Sequence, residues 1–294
     1  SCGSDSKAGS VKSTDASSGP ATTGASPDGT MDPGMSMKTT YPVTIKDCDG
    51  RETTYAKAPE RVVTIDPNIT EMLLLLGLKD RVVGYTEFYT PDRQWGPTKA
   101  DMGTLKMIND GSNYPSKEAV VAESPDLVTS IYSYAFMDPL PDRSGWSELG
   151  VNTYQSLGEC LPTAPKDFSL LYEDLRNFGI MFDVQDKAEV EIAKLQARVA
   201  VLQQRAKDAN LTSHRIAIHD GSVEHPGWYT GTINIGIGMA GSTYIWSDLG
   251  PEGVATWEEF VARDPDVIWI IPDAGTDVAV LEQQLQDDPR LANV

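Results

Sequence analysis

His214, His219 and His225 fall within 12 residues of one another, beside Asp220 and Glu224, and imidazoles with carboxylates are a donor set that transition metals accept. Nucleotide chemistry is a second possibility, because Gly236-Ile-Gly238-Met-Ala-Gly241 matches G-x-G-x-x-G and Glu258 lies about 20 residues beyond. That turn works only where it follows a strand and opens a full helix. Here Ser242–Trp246 runs at once into Ser247-Asp-Leu-Gly250, which leaves no room for the helix. The glycines therefore read as a small-residue helix packed closely on its neighbours. No G-x-S-x-G, H-E-x-x-H, P-loop or C-x-x-C is present, so the usual catalytic readings have no marker in this chain.

An echo in the sequence reveals the elements that would position a site. The stretch SKEAVVAESPDLVTS, Ser116–Ser130, returns 140 positions later as TWEEFVARDPDVIWI, Thr256–Ile270, with Glu118/Glu258, Val121/Val261, Ala122/Ala262, Pro125/Pro265 and Asp126/Asp266 identical. Each copy reads as a short amphipathic helix, a Pro-Asp stop and an apolar run suited to a buried parallel strand. Arg61-Val-Val-Thr-Ile-Asp66 and Arg215-Ile-Ala-Ile-His-Asp220 echo each other too, each a charged start, a β-branched strand and an acidic turn. The order of both echoes points to one α/β unit built twice, against the alternative that restricted strand-turn-helix grammar produced the matches.

Along the chain, Tyr41–Tyr55 alternates apolar and polar residues around Asp49-Gly50, which predicts a hairpin with a type I′ turn. Arg61–Asp66 is expected as a strand. A helix then starts at Asn68-Ile-Thr-Glu71, with Ile69, Met72, Leu73 and Leu76 on one face and Gly77 at its C-cap. Val82–Tyr85 is the next strand, and Glu87–Pro115 reads as surface loop and short helix. Ile192, Leu195, Val199, Leu202 and Ala206 mark a helix over Asp186–Ala209, about 36 Å long. The domains follow: an N-terminal α/β lobe at 41–166, a linking helical segment at 167–210 and a C-terminal α/β lobe at 211–294. With no final helix after Asp288-Pro-Arg-Leu-Ala, the second lobe is expected to be cropped.

The 294 residues, 40% of them hydrophobic, suffice for a core in each lobe. With 43 acidic and 24 basic residues the net charge is −19, which opposes phosphate backbones and anionic headgroups, so no nucleic acid is expected as a partner. No run of 18 apolar residues is present that would span a bilayer. Residues 1–40 are nearly all small or polar and read as a disordered tether, with an r.m.s. reach on the order of 35 Å. Ser1-Cys2-Gly3 resembles the cleavage point of a bacterial lipoprotein, which would make Cys2 a lipid anchor on the outer face of the cell membrane. Cys48 and Cys160 then pair as a disulfide, or remain two buried thiols.

Ala58-Pro-Glu-Arg-Val-Val63, Asn68-Ile-Thr-Glu71, Leu75-Leu-Gly-Leu78, Val82-Val-Gly84 and Ala262-Arg-Asp-Pro-Asp-Val-Ile268 together resemble the periplasmic-binding family that serves ABC importers of ferric siderophores, haem and vitamin B12. The resemblance covers about residues 41–294 and rests on the order of the motifs. It implies an α/β fold of two Rossmann-like lobes joined by one long helix, with the ligand in the cleft between them. It also implies a Glu on the outer surface of each lobe that docks into the permease, and by motif these are Glu71 and Glu258. For Glu71 a capping box with Asn68 is the structural alternative. Glu118, the repeat mate of Glu258, reads as a solvated helix residue.

For such a cleft the aromatic walls would come from Tyr85 and Tyr89, from Tyr132, Tyr134 and Phe136, and from Trp228, Tyr229 and Trp246. Loop cations are few, with Arg93, Lys99 and Arg143 the main ones, and an anionic catecholate would ask for several. A ferric hydroxamate siderophore is therefore the expected ligand, with haem or cobalamin as alternatives and a nucleotide-dependent α/β enzyme as the rival of a different class. The three histidines lie in one lobe, whereas metal-ion binders of this type draw on both, so no resident metal or cofactor is expected. Iron enters only within a bound siderophore. The expected partner is an ABC permease in the membrane, and the expected state is a monomer.

Overall fold

The computed structural model describes residues 37–48, 50–86, 96–109, 114–160, 167–210, 214–219, 226–229, 232–249, 252–270 and 277–292. A hairpin comes first. Strands β1 (Val43–Lys46) and β2 (Glu52–Tyr55) pair antiparallel, with Lys46 opposite Glu52. Five residues thus separate the strands where a type I′ turn would leave two. The longer loop closes on itself, the Asp47 N–H donating to Arg51 O at 3.0 Å and the Gly50 N–H to Asp47 O at 2.9 Å.

The first lobe continues through β3 (Val62–Thr64), α1 (Pro67–Leu75), β4 (Val82–Tyr85), α2 (Lys99–Met102), α3 (Lys117–Ala122), β5 (Leu127–Ser130), α4 (Arg143–Glu148) and β6 (Asn152–Gln155). Its strands are parallel in the order β4-β3-β5-β6. Successive side chains serve opposite faces. Val62 and Leu127 join Ile69 and Leu73 of α1 in one core, and Val63 and Val128 join Val120 and Trp146 in the other. Burial on both faces is why these strands read as continuous apolar runs.

Helices α5 (Ser169–Phe182) and α6 (Gln185–Asp208) follow, and Asp183 turns the corner in the left-handed region at φ 57°. They cross closely, since a Cβ on Gly179 would lie 2.9 Å from Ala188 Cβ. Leu175, Phe178, Met181 and Phe182 of α5 sit in the first lobe's core with Ala188 and Ile192 of α6. The helical segment is therefore no free strut, because α5 and the first half of α6 are part of the first lobe. The inward stripe of α6 runs Ile192, Leu195, Val199, Gln203 and Ala206, while Leu202, expected inside, is 51% exposed.

Residues 37–40, expected as the end of the tether, are held at the α5–α6 corner. The Thr39 N–H donates to Asp183 Oδ1 at 2.8 Å and its hydroxyl to Ile180 O at 2.6 Å. The Tyr41 hydroxyl donates to Met181 O at 2.8 Å. The rest of the expected tether, Cys2 included, lies outside the described residues. Cys48 and Cys160 form a disulfide, 112 positions apart, that ties the hairpin loop to the segment after β6.

The second lobe comprises β7 (Arg215–His219), β8 (Gly227–Tyr229), α7 (Thr232–Met239), β9 (Thr243–Tyr244), β10 (Glu252–Val254), α8 (Trp257–Ala262), β11 (Val267–Ile270) and α9 (Val278–Asp287). The helix α9 stands just before Asp288-Pro-Arg-Leu-Ala, near the end of the described chain. The parallel order β11-β7-β9 repeats β5-β3-β4 of the first lobe, and β8 and β10 form a separate antiparallel ribbon.

The repetition extends to single hydrogen bonds. The Arg61 N–H donates to Asp126 Oδ1 at 2.9 Å, and the Arg215 N–H to Asp266 Oδ2 at 2.7 Å. Ser116 caps α3 and Thr256 caps α8, each accepting an N–H at 3.1 Å. Ser124 and Asp264 both take positive φ, 47° and 48°.

Candidate functional site

In the order β4-β3-β5-β6 the winding reverses between β3 and β5, and the crevice beyond the C-terminal ends of the strands at such a point is where open α/β sheets take their ligands. Asp66 occupies this point. One carboxylate oxygen accepts the Ile69 N–H at 2.8 Å and caps α1, and the other accepts the Ile131 N–H at 2.8 Å beyond β5. Complete burial pushes its pKa up to about 6, against the opposing pull of the backbone N–H groups. The helix thus starts at Asp66 with Pro67 at its head, two residues before the expected Asn68. Ile69 takes the third position, so the capping box proposed for Glu71 does not form.

A second buried carboxylate fixes the other wall. Asp174 of α5 accepts hydrogen bonds from the hydroxyls of Tyr154 at 2.6 Å and Ser156 at 2.5 Å, and from the Leu157 N–H at 2.9 Å. Burial raises its pKa, and burial followed by the Asp174 charge holds the Tyr154 hydroxyl well above its ordinary value.

Between these anchors lies a cavity of ≈ 290 Å³. Asn68, Glu71, Met72 and Leu75 of α1 form one wall, and Phe168, Leu170, Leu171 and Leu175 form another. Ile131, Ser156 and Gly158 supply the strand-end side, while Leu195 of α6 and Ile235 of α7 complete the lining. It is apolar apart from a few polar groups, among them the carboxylates of Glu71, Asp167 and Asp174, and its described lining holds no Lys, Arg or His. The apolar liners on α1 went unassigned at the level of sequence, although a signal was present. Met72–Leu76 is apolar at five consecutive positions, more than one core stripe uses. Leu73, Leu74 and Leu76 are buried, while Met72 and Leu75 are half-buried and face the cavity.

Among the expected aromatic residues, Tyr132 and Tyr134 stack with centroids 4.6 Å apart, and Tyr114 meets Tyr134 edge-on at 5.1 Å. The stacked pair follows β5, and Tyr134 is left 41% exposed. Tyr85 is buried in the first lobe's core, and Phe136 lies in the core on the opposite face of the sheet. Trp228 and Tyr229 stand in β8, paired with Gly253 and Glu252 of β10. Tyr89 and Arg93 lie outside the described residues.

Like Tyr85 and Phe136, two further expected ligand residues belong to the scaffold. Trp246 is fully buried in the second lobe's core beneath the Arg263 guanidinium, 4.5 Å from its ring. Arg143 is buried, ion-paired with Asp47 and placed 4.7 Å over the Phe136 ring. Its charge serves the interior, where pairing offsets the cost of desolvation.

The histidine and glycine motifs also resolve. His219 is fully buried with its ring 5.6 Å from Trp257, His225 lies outside the described residues, and no metal-capable group of His, Cys, Asp and Glu exists among the described residues. Gly236 and Gly238 lie inside α7, with Gly241 just beyond its end, and β8 before it belongs to an antiparallel ribbon. The described residues there form no βαβ unit. Nor is the packing close, since a Cβ on Gly236 or Gly238 would meet nothing within 4 Å.

The acidic candidates separate by location. Glu71 is half-buried in the cavity wall and accepts a hydrogen bond from Thr98 Oγ1 at 3.3 Å. Glu118 and Glu258 are the second residues of α3 and α8, both exposed, each two positions beyond a hydroxyl cap.

The sequence matches the model of a family described as "Periplasmic binding protein" over residues 62–294. It is 26% identical over 236 residues to a cobalamin-binding protein of Halobacterium salinarum, covering 78% of this chain and 58% of that protein. It is also 28% identical over 171 residues to the uncharacterized ABC transporter substrate-binding lipoprotein YvrC of Bacillus subtilis, covering 57% of this chain and 48% of that protein. The chain thus spans about half the length of the curated relatives it matches. Among solved structures, a periplasmic binding protein of Veillonella parvula superposes with a TM-score of 0.72 at 24% identity, covering 86% of each chain. An ABC-type Fe3+-hydroxamate transport system structure from Saccharomonospora viridis gives 0.69 at 23%, covering 85% of this chain and 86% of that one. With the repeated lobes and the cleft at the switch point, the match establishes that this chain belongs to the periplasmic binding protein family.

Proposed function

We propose that this chain is the substrate-binding component of an ABC importer and holds a large metal chelate between its lobes, a ferric hydroxamate siderophore in the first place. The observation that carries this reading is the cavity at the switch point, apolar on most sides and lined by carboxylates without a described cation. Ferric trihydroxamates are neutral or cationic and suit such a lining, whereas ferric catecholates are polyanions that it would repel. Cobalamin is the second reading, favoured by the cobalamin-binding relative, which matches over most of this chain. No bond is made or broken in this function, and iron enters only as part of the bound chelate.

Delivery would use one exposed Glu on each lobe. Glu258 keeps the docking role expected of it, and in the first lobe Glu118 takes the role in place of Glu71. Glu118 and Glu258 occupy the same position of equivalent helices, while Glu71 lines the cavity. Cys2 carries the lipid that holds the protein, as a monomer, at the outer face of the membrane.

The direct test is thermal shift of the full chain against a ferric trihydroxamate, cyanocobalamin, haemin and a ferric tris-catecholate, since a ligand bound only by the folded state raises the midpoint with concentration. A rise with the hydroxamate alone supports the first reading, a rise with cyanocobalamin alone the second, and no rise with any chelate sinks both. For docking, Glu118→Lys and Glu258→Lys are expected to abolish uptake in cells while leaving chelate affinity unchanged. Normal uptake by the double variant would remove the assigned surface.

A further inference from the structure

Phe168 heads α5 and borders two cavities. One is the switch-point cavity, whose ≈ 290 Å³ falls at the small end of the range of about 300–1,000 Å³ that ligand sites occupy. The other, of ≈ 420 Å³, adjoins it and shares Phe168 and Asp167. Leu195 of α6 and Ile235 of α7 line the first cavity, and Val199 and Met239, one turn further along each helix, line the second. Both cavities thus draw on both lobes, and together they reach the middle of the ligand-site range. Their chemistry differs, because the second presents the carboxamides of Gln196 and Gln203 and the hydroxyl of Tyr172. Gln203 holds a place in the inward stripe of α6, where an apolar residue is the rule, while its neighbour Leu202 is 51% exposed. Among the described residues no hydrogen bond engages these three polar side chains. Burial, and then the Asp167 charge, raise the Tyr172 pKa, so its hydroxyl stays protonated and can donate. The charges in the same wall have partners: Arg176 pairs with Glu189 at 2.7 Å, and Asp167 accepts the Ser169 N–H at 2.9 Å. Such a lining suits neutral groups that both donate and accept, and a ligand amide matches the glutamine carboxamides on both counts.

We infer that the ligand site has a second compartment beyond Phe168, in which Gln196, Gln203 and Tyr172 hydrogen-bond an amide-bearing arm of the bound chelate. Linear trihydroxamates carry such amides in their linkers, and cobalamin carries them as peripheral carboxamides. This assignment rests on the chelate reading above and goes beyond it, because it adds a subsite and the ligand chemistry that the subsite reads.

The test titrates three probes into the full chain by calorimetry. Ferrioxamine B and cyanocobalamin carry amide arms, and ferric tris(acetohydroxamate) has the iron–hydroxamate centre without them. Ala200→Phe fills the second compartment from α6, and Gln203→Leu removes one of its carboxamides; neither residue lines the first cavity. The wild type is expected to prefer an armed chelate. Ala200→Phe is expected to weaken that chelate about tenfold by steric exclusion, and Gln203→Leu about three- to tenfold, the size of one or two neutral hydrogen bonds. Both variants should bind ferric tris(acetohydroxamate) within about twofold of the wild type. Either variant decides alone if the other lowers the melting midpoint, and the armed chelate that loses affinity identifies the source of the arm. If the wild type prefers no armed chelate, or if the variants keep its affinity for them, the second compartment is overturned while the chelate reading stands. If no chelate binds the wild type, both fall together.

Discussion

Asp66 and Ile131 are joined across the switch point of the first sheet by a hydrogen bond of 2.8 Å from the Ile131 N–H to the Asp66 carboxylate. The same carboxylate caps α1, so one buried side chain sets both the start of a cavity-lining helix and the loop that follows β5.

That bond carries a pH signature. The folded pKa of Asp66, about 6, is raised above the ordinary 3.8, so between these values the folded state binds more protons than the unfolded one. Its contribution to stability is complete below pH 3.8 and is lost as pH rises through 6. Two units correspond to a contribution on the order of 3 kcal/mol. The stability difference between wild type and Asp66→Ala, from urea unfolding at stepped pH, is expected to shrink from pH 4 to pH 7. A difference independent of pH would show that burial does not shift this carboxyl.

The glycines of α5 and α7 make a matched pair. Gly179→Ala puts a methyl 2.9 Å from Ala188 Cβ, and overpacking of this kind costs about 1–3 kcal/mol, more than the gain of up to about 1 kcal/mol in helix propensity. Gly236→Ala meets nothing within 4 Å and keeps the gain. Calorimetry should find the first variant with a lower melting midpoint and the second with a higher one; a rise for both would contradict the close crossing.

Removing the disulfide tests the hairpin's attachment. The bond closes a separation of 112 residues, and the chain-entropy model gives such a loop up to about 4.7 kcal/mol. The double variant Cys48→Ser, Cys160→Ser is expected to melt well below the wild type, by several degrees at roughly 2–4 °C per kcal/mol. An unchanged midpoint would mean that the bond does not constrain the unfolded chain.

Arg143 separates scaffold from site. Breaking its buried pair with Asp47 by Arg143→Ala strands a carboxylate and is expected to cost about 3–5 kcal/mol. Ferric hydroxamate affinity, measured well below the melting transition, should stay within about twofold, since no ligand contact is lost. A large loss of affinity with stability preserved would return Arg143 to the binding site.

Patterns that depend on neighbours along the chain were legible without coordinates. The paired echoes 140 residues apart mark equivalent helix, stop and strand segments. Their capping hydroxyls and Pro-Asp stops act locally, so spacing alone reveals them. Helix α6 was placed within one residue at each end for the same reason, as its apolar residues repeat with the helical period. The roles of Trp246, Arg143 and Glu71 depended on tertiary structure. An aromatic or charged residue near a strand end looks the same in sequence whether it faces a cleft or a core, and the difference is made by elements far away in the chain. Arg143 is interior because Asp47 of the hairpin comes to meet it. Glu71 faces the cavity because Asp66, two residues before the expected cap, starts the helix and sets its rotation. The amino-acid order by itself determined two copies of an α/β unit and the long helix that follows the first. Folding alone decided which side chains the cavity would see, because that depends on packing between segments distant in sequence.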